Sequence, residues 1–188
     1  MHKKLFIPGP VEVREEVLKK MSEAMISHRS KDASEIQRRI SDNLRKLFFT
    51  ESEILLSTTS GSGLMEGAIR SCTLKKAAVF SIGAFGRRWY DMAIKNNIDV
   101  DLFEEEMGKT IDINRLNDAL STNKYDLVAI THNETSTGVM NPMEKIGEVI
   151  KKHPEIVFIV DAVSSAGGSK IEVDKLGIDI CITSTQKA

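Results

Sequence analysis

The sequence predicts an α/β fold in which a mostly parallel sheet carries helices on both faces and follows two N-terminal helices. Short apolar or β-branched runs alternate with amphipathic helical stretches along most of the chain, a pattern typical of parallel strands joined by crossover helices. The runs are continuously apolar, as expected of strands buried on both faces. No internal repeat and no linker rich in Pro, Gly or Ser interrupts the alternation. We therefore expect one principal domain.

The two N-terminal helices are predicted from apolar residues at helical spacing. Val11, Leu18, Met21 and Met25 fall on one stripe of a helix over 11–25, and the same periodicity resumes over 32–49. The predicted strands cover 53–57, 77–82, 100–103, 127–131, 156–160 and 178–183. The predicted intervening helices cover 63–72, 87–96, 112–121 and 143–152, the last of them after an Asn141–Pro142 cap. We divide the chain into an N-terminal segment with its helices, 1–50, and an α/β domain, 51–188.

Composition excludes several classes of partner. A net charge of −1 leaves no basic surplus to neutralise a nucleic-acid backbone, and apolar runs such as 156–160 are too short to span a membrane. The N-terminal apolar stretch is short and broken by prolines, unlike a signal peptide, so we expect a cytoplasmic protein. Cys72 and Cys181 lack metal-ligand or Cys-x-x-Cys spacing, which favours a packing role and predicts no metal site.

Polar or glycine-rich clusters follow the predicted strands at 57–63, 132–138, 160–165 and 184–188. Taken singly, each has an ordinary explanation as a turn, a helix cap or a solvated charge. Together they bring an anion cradle, a loop of hydrogen-bonding groups, the Asp161 carboxylate and the Lys187 amine to the edge where parallel sheets bind ligands. Pyridoxal phosphate requires that set: an amine, an acid for its ring nitrogen and a cradle for its phosphate.

Ordered motifs extend this hypothesis over the whole chain. They are Pro8-Gly9-Pro10-Val11, Ser60-Gly61-Ser62-Gly63-Leu64-Met65-Glu66, Gly83-Ala84-Phe85-Gly86-Arg87-Arg88, the stretch 131–138, Asp161-Ala162-Val163-Ser164-Ser165 and Ser184-Thr185-Gln186-Lys187-Ala188. In these motifs the chain resembles the class V, or fold type I, pyridoxal-phosphate aminotransferases. It is most similar to the alanine–glyoxylate and serine–pyruvate aminotransferase group.

The resemblance implies a role for each site residue. Lys187 is expected to carry the cofactor as a Schiff base, and Asp161 to pair with the ring nitrogen. The other expected cofactor contacts are Ser60, Gly61, Ser62 and Gln186 at the phosphate, Phe85 and Val163 on the two ring faces, and Thr135 at the phenolic oxygen. The backbone of Gly9 is expected near the substrate. Other members of the group often have tryptophan where this chain has Phe85, a change of area more than of kind.

The implied activity is ping-pong transamination between alanine or serine and glyoxylate or pyruvate, with Lys187 as anchor and general base. The family implies a homodimer with its sites at the interface. Its members continue for about as long again, so we expect this chain to be an N-terminal half with an incomplete cofactor-binding domain. The small C-terminal domain, the arginine for the substrate carboxylate and the partner-subunit phosphate contacts are expected beyond residue 188.

Several alternatives stay open. Lyases, aminoethylphosphonate transaminases and cysteine desulfurases share the fold, although desulfurases usually have histidines where this chain has Gln186 and Phe85. A hypothesis from a different functional class is that the chain is a non-catalytic fragment that keeps the fold. Further polar or aromatic residues are either site contacts or ordinary surface and core residues; they are His28, Arg29, Arg87, Arg88, His132 and Trp89.

Overall fold

The computed structural model describes residues 3–187, which are built around a five-stranded parallel sheet. Its strands are β1 (Ala77–Ser81), β2 (Val100–Glu104), β3 (Leu127–Thr131), β6 (Val157–Asp161) and β7 (Ile180–Ile182), in the spatial order β2-β1-β3-β6-β7. Two further short strands, β4 (Asn133–Glu134) and β5 (Val139–Met140), form an antiparallel hairpin directly after β3. The mostly parallel sheet confirms the predicted fold class.

Helices precede the sheet and connect its strands. They are α1 (Glu15–Met21), α2 (Lys31–Phe48), α3 (Gly61–Cys72), α4 (Ala84–Lys95), α5 (Ile113–Leu120), α6 (Met143–Ile150) and α7 (Val173–Leu176). Side chains of Ser30, Ser60 and Asp112 accept backbone N–H groups at the starts of α2, α3 and α5. These caps satisfy donors that the first helical turn leaves without partners.

The sheet separates two hydrophobic cores, because successive side chains of a strand point to opposite faces. Phe80, Ile130 and Val160 pack with residues of α5, α6 and α7 in one core. Val79 and Ala129 pack with residues of α3 and α4 in the other, which also contains the fully buried Trp89. Helices therefore cover both faces, as the apolar runs predict, and Trp89 is a core residue.

The predicted strand over 53–57 is wrong, since no strand forms there. Leu55 is 88% exposed, and within residues 3–187 no neighbouring strand pairs with this segment. A strand needs a partner for its backbone donors and acceptors, so an apolar run alone does not make one. The first helix is also shorter than the predicted 11–25. None of the residues of α1 is buried, and helices this short gain most of their stability from packing.

Over the stretch from residue 3 to residue 187, no helix combines the length and apolar character needed to cross a membrane.

Candidate functional site

The candidate site lies at the carboxyl ends of the parallel strands, where sheets of this type bind ligands. Asp161 is the last residue of β6, and Lys187 comes five residues after β7 ends at Ile182. Phe85 lies in the first turn of α4, just after β1, and Thr135 lies in the β4–β5 hairpin after β3. The topology thus gathers residues that are up to about 100 positions apart in the chain at one edge of the sheet.

The N-terminus of α3 packs directly against the loops after β6 and β7. The hydroxyl of Ser60 accepts the N–H of Gly63 at 3.2 Å. Gly61 is buried, and a Cβ atom at this position would lie 2.8 Å from Val163 Cγ2 and 3.8 Å from Ser184 Cβ. Only glycine permits this approach, which brings the positive end of the α3 dipole into the site.

Asp161 is a nearly buried carboxylate, only 4% exposed. One of its oxygens accepts the N–H of Val163 at 2.9 Å. Burial raises the pKa of Asp161, the Val163 hydrogen bond opposes the rise, Glu134 adds to it and the charge of Arg88 counters it. On the adjoining strand, the buried Thr131 is in register with Asp161. The end of β6 therefore holds a carboxylate suited to a cationic donor.

The N-terminal segment closes over Lys187. The N–H of Val11 donates to the carbonyl oxygen of Gln186 at 2.9 Å. Gly9 has a φ of +146°, and a Cβ there would lie 2.5 Å from Lys187 Cδ and 3.0 Å from its Nζ. Glycine is thus required at position 9 by both backbone conformation and contact. Gln186 is itself exposed, and its amide oxygen accepts the hydroxyl of Ser184.

Two cations flank Phe85. The Nζ atom of Lys187 lies 6.0 Å from the centroid of its ring, and the guanidinium carbon of Arg88 lies 4.5 Å from it. Arg88 Nη1 also donates to the hydroxyl of Ser62 at 3.0 Å. Arg88 therefore joins the first turn of α4 to the N-terminus of α3, whereas Arg87 pairs with Glu104 at 2.8 Å on the surface.

Glu134, which the sequence did not single out, is the most heavily hydrogen-bonded acid of this edge. It has no exposed surface, and its carboxylate accepts the N–H groups of Phe85 and Gly86 in α4. It also accepts the N–H and hydroxyl of Ser136. The half-buried Thr135 lies between these two hairpin residues. The available sequence signal was a lone acid in a hydroxyl-rich loop following a buried strand.

Other residues considered from sequence lie outside this cluster. His28 and Arg29 are exposed in the segment before α2. His132 is 5% exposed and lines a cavity with residues of α6 and α7. Burial lowers its pKa, which favours the neutral imidazole.

The two cysteines are not activated thiols. Burial raises the pKa of Cys181 to about 12, with a further contribution from Asp161, and burial also raises the pKa of Cys72. A nucleophilic cysteine needs the opposite shift. Both side chains pack against the hydrophobic cores, in agreement with the packing role predicted for them.

Comparison with known proteins gives a consistent family. Residues 7–188 match the family described as Aminotransferase class-V. The chain is 39% identical to an uncharacterized aminotransferase of Methanocaldococcus jannaschii, over 98% of this chain and 49% of that protein. It is 32% identical to a serine–glyoxylate aminotransferase of Methylorubrum extorquens, over 97% of this chain and 47% of that protein.

A solved structure agrees with the sequence relatives. The crystal structure of ureidoglycine–glyoxylate aminotransferase from Bacillus subtilis superposes with a TM-score of 0.89 at 30% identity, covering 99% of this chain and 49% of that one. The chain spans about half the length of the curated relatives it matches. Since the family match extends over nearly all of its residues, the chain belongs to the class V aminotransferases.

Proposed function

We propose that this chain carries the pyridoxal-phosphate site of an aminotransferase that acts on a small amino acid and a 2-oxo acid. The observation that carries the proposal is that Lys187 lies near Phe85 while the N-terminus of α3 packs on Val163, two residues after the buried Asp161, at the same edge of the sheet. Alanine or serine as donor and glyoxylate or pyruvate as acceptor are the proposed substrates. The similarity to a serine–glyoxylate aminotransferase supports this choice.

The phosphate of the cofactor fits the N-terminus of α3. Gly61 lacks the Cβ that would meet Val163, and backbone N–H groups at a helix start favour an anion. The hydroxyls of Ser60 and Ser62 add hydrogen-bonding groups, with Gln186 beside them in the proposed arrangement. Arg88, already bonded to Ser62, contributes a positive charge at the same place.

In the proposed arrangement the ring of the cofactor would lie between Phe85 and Val163. Asp161 would face the ring nitrogen, because a buried carboxylate with a raised pKa is stabilised by a cationic N–H donor. Thr135 would donate to the phenolic oxygen. When bound, pyridoxal phosphate withdraws electrons from the α-carbon of the amino acid.

Lys187 supplies the reactive amine. Its Nζ would anchor the cofactor covalently and, once displaced by the amino acid, take the proton from the α-carbon as general base. Gly9 leaves room for the lysine side chain, and the Val11–Gln186 hydrogen bond holds the two backbones together. Backbone groups at Gly9 would in turn contact the substrate next to this amine.

We further propose that residues 1–50 serve assembly into a homodimer, while residues 51–188 form the cofactor-binding domain. Met21 and Met25 are 76% and 98% exposed, and Ile36 and Ile40 of α2 are 41% and 37% exposed. Large exposed apolar side chains favour burial in a protein interface. A second copy of the chain is the proposed occupant, as the family resemblance implies.

The test is an absorbance titration of the full-length protein with pyridoxal phosphate and then with alanine. We expect a visible band for the lysine-bound cofactor that shifts when alanine is added, and no such band in Lys187→Ala. A band that no amino acid shifts would contradict transamination. A band of normal strength in Lys187→Ala would contradict the role of the lysine.

A further inference from the structure

We propose that Glu134 is a positioning residue that sets the Phe85 ring and the Thr135 hairpin against the cofactor. This inference rests on the proposed function, since it takes Phe85 and Thr135 as cofactor contacts. Glu134 acts through the two elements that it joins, α4 and the β4–β5 hairpin.

Glu134 is a buried carboxylate that is held by hydrogen bonds. Its side chain has no exposed surface, and a buried carboxylate is unfavourable unless hydrogen bonds replace its water. Here the replacement is extensive. Oε2 accepts the N–H groups of Phe85 at 3.1 Å and Gly86 at 3.0 Å, and Oε1 accepts the hydroxyl and N–H of Ser136 at 2.7 and 3.1 Å.

Two of the groups that donate to Glu134 lie at the start of α4. Phe85 and Gly86 are in the first turn of α4, whose N–H groups have no partner inside the helix. A carboxylate at this end is favoured by the helix dipole as well as by the hydrogen bonds. Since Phe85 is one of the residues held, the same contact sets the direction in which its ring leaves the backbone.

The same hydrogen bonds link the β4–β5 hairpin to the start of α4. Glu134 and Ser136 flank Thr135, and both are tied to the start of α4. Gly83, just before α4, lies so close that a Cβ there would be 2.6 Å from Glu134 Cγ and 2.7 Å from Ser136 Oγ. One buried carboxylate therefore fixes two proposed cofactor contacts relative to each other.

A glutamine does not reproduce this arrangement. Both oxygens of the carboxylate accept hydrogen bonds from N–H or O–H donors, and glutamine replaces one oxygen with an NH2 group that donates. The NH2 group would face backbone N–H groups. We expect Glu134→Gln to misalign the Phe85 ring while keeping nearly the same side-chain volume.

The experiment is a double-mutant cycle on the full-length protein, with Glu134→Gln, Phe85→Ala and the double variant. The readouts are the dissociation constant of pyridoxal phosphate and the visible circular dichroism of the bound cofactor, which reports ring orientation. We expect E134Q to raise the dissociation constant about tenfold, in line with the loss of hydrogen bonds to a charged group. In the F85A background the added loss should be less than about twofold, because both changes act through one ring.

Glu104→Gln is the matched control. Glu104 is an exposed carboxylate at the end of β2. It pairs with the side chain of Arg87 in α4 and not with the backbone N–H groups that Glu134 binds. E104Q should therefore bind the cofactor with wild-type affinity and dichroism. If E134Q fails to fold, Gly83→Ala decides, because its Cβ displaces the carboxylate without removing it. Gly83 has a φ of 161°, which is extended backbone open to alanine.

Two results would overturn the inference. One is unchanged affinity and dichroism in E134Q or, where that variant does not fold, in G83A. The other is full additivity of E134Q with F85A. If the proposed function itself is wrong, the result differs: the wild-type protein then shows no absorbance band for a lysine-bound cofactor.

Discussion

Asp161 shows how a single residue can favour function at the expense of stability. Burial raises its pKa, so the native state binds more protons than the unfolded state between the ordinary pKa and the raised one. Stability therefore falls as pH rises through that window, and above it the buried charge destabilises the cofactor-free protein. We predict that Asp161→Asn, which keeps an acceptor for the Val163 N–H, melts at a higher temperature than the wild-type protein without cofactor.

The same substitution should lower turnover of the loaded enzyme by about 10²–10³-fold, because a preorganised charge at the reacting group is lost. Thermal unfolding and steady-state kinetics check the two halves of the prediction. Asp179→Asn is the control, since Asp179 is an exposed acid that accepts the N–H of Phe158. Equal melting temperatures for D161N and wild type would contradict the assignment of a destabilising charge.

For single residues, the sequence predicted which side chains suit the cofactor better than it predicted which side chains contact each other. Lys187, Asp161 and Phe85 were proposed because their residue types suit the cofactor, and the structure places Lys187 and Phe85 close together. The structural roles of Glu134 and Arg88 come from hydrogen bonds to residues 26 to 49 positions away in the chain. Such pairings depend on how strands and helices pack, which residue type alone does not specify.

The capping of helix α3 illustrates how an element links stability to the site. Ser60 caps α3 and also lies in the proposed phosphate cradle. We predict that Ser60→Ala lowers the free energy of unfolding by about 0.5–2 kcal/mol, the usual cost of losing such a cap, and weakens cofactor binding. Urea unfolding and a cofactor titration measure the two effects.

Ser30→Ala is the matched control for this prediction. Ser30 caps α2 by the same geometry, accepting the N–H of Ala33 at 3.2 Å, but lies outside the candidate site. It should lose comparable stability and keep its cofactor affinity. If both variants lost affinity equally, the cradle role of Ser60 would be refuted and only its cap would remain.

Elements were predictable where periodicity and packing agree. The runs at 77–82, 127–131 and 156–160 became central strands because both of their faces are buried. The run at 53–57 contains three apolar residues, Ile54, Leu55 and Leu56, but pairs with no strand of the described residues. The β4–β5 hairpin and α7 were missed because two- to four-residue elements carry too few positions to show a period.

On the scale of the whole molecule, the exposed apolar stripe of α2 determines the proposed assembly. Leu44 and Phe48 at the end of this helix pack on the core, whereas Ile36 and Ile40 on the same stripe are exposed. We predict that the full-length protein sediments as a dimer and that Ile40→Glu shifts it toward the monomer. A charge placed in an apolar interface loses its water without gaining a partner.

Gln37→Glu is the control for the assembly prediction, because it adds the same charge at another exposed position of α2. It should leave the dimer intact. Analytical ultracentrifugation over a range of concentrations measures both variants. A wild-type protein that stays monomeric throughout, or an I40E protein that remains as dimeric as wild type, would contradict assembly through α2.

The proposed function depends above all on Lys187 as the residue that binds pyridoxal phosphate. The most direct test of this role is borohydride reduction of the full-length protein with pyridoxal phosphate, followed by peptide mass spectrometry to locate the cofactor. We predict one dominant adduct on Lys187, which excess alanine added before reduction suppresses. An adduct spread over exposed lysines such as Lys170 and Lys175, or the absence of any on Lys187, would contradict it.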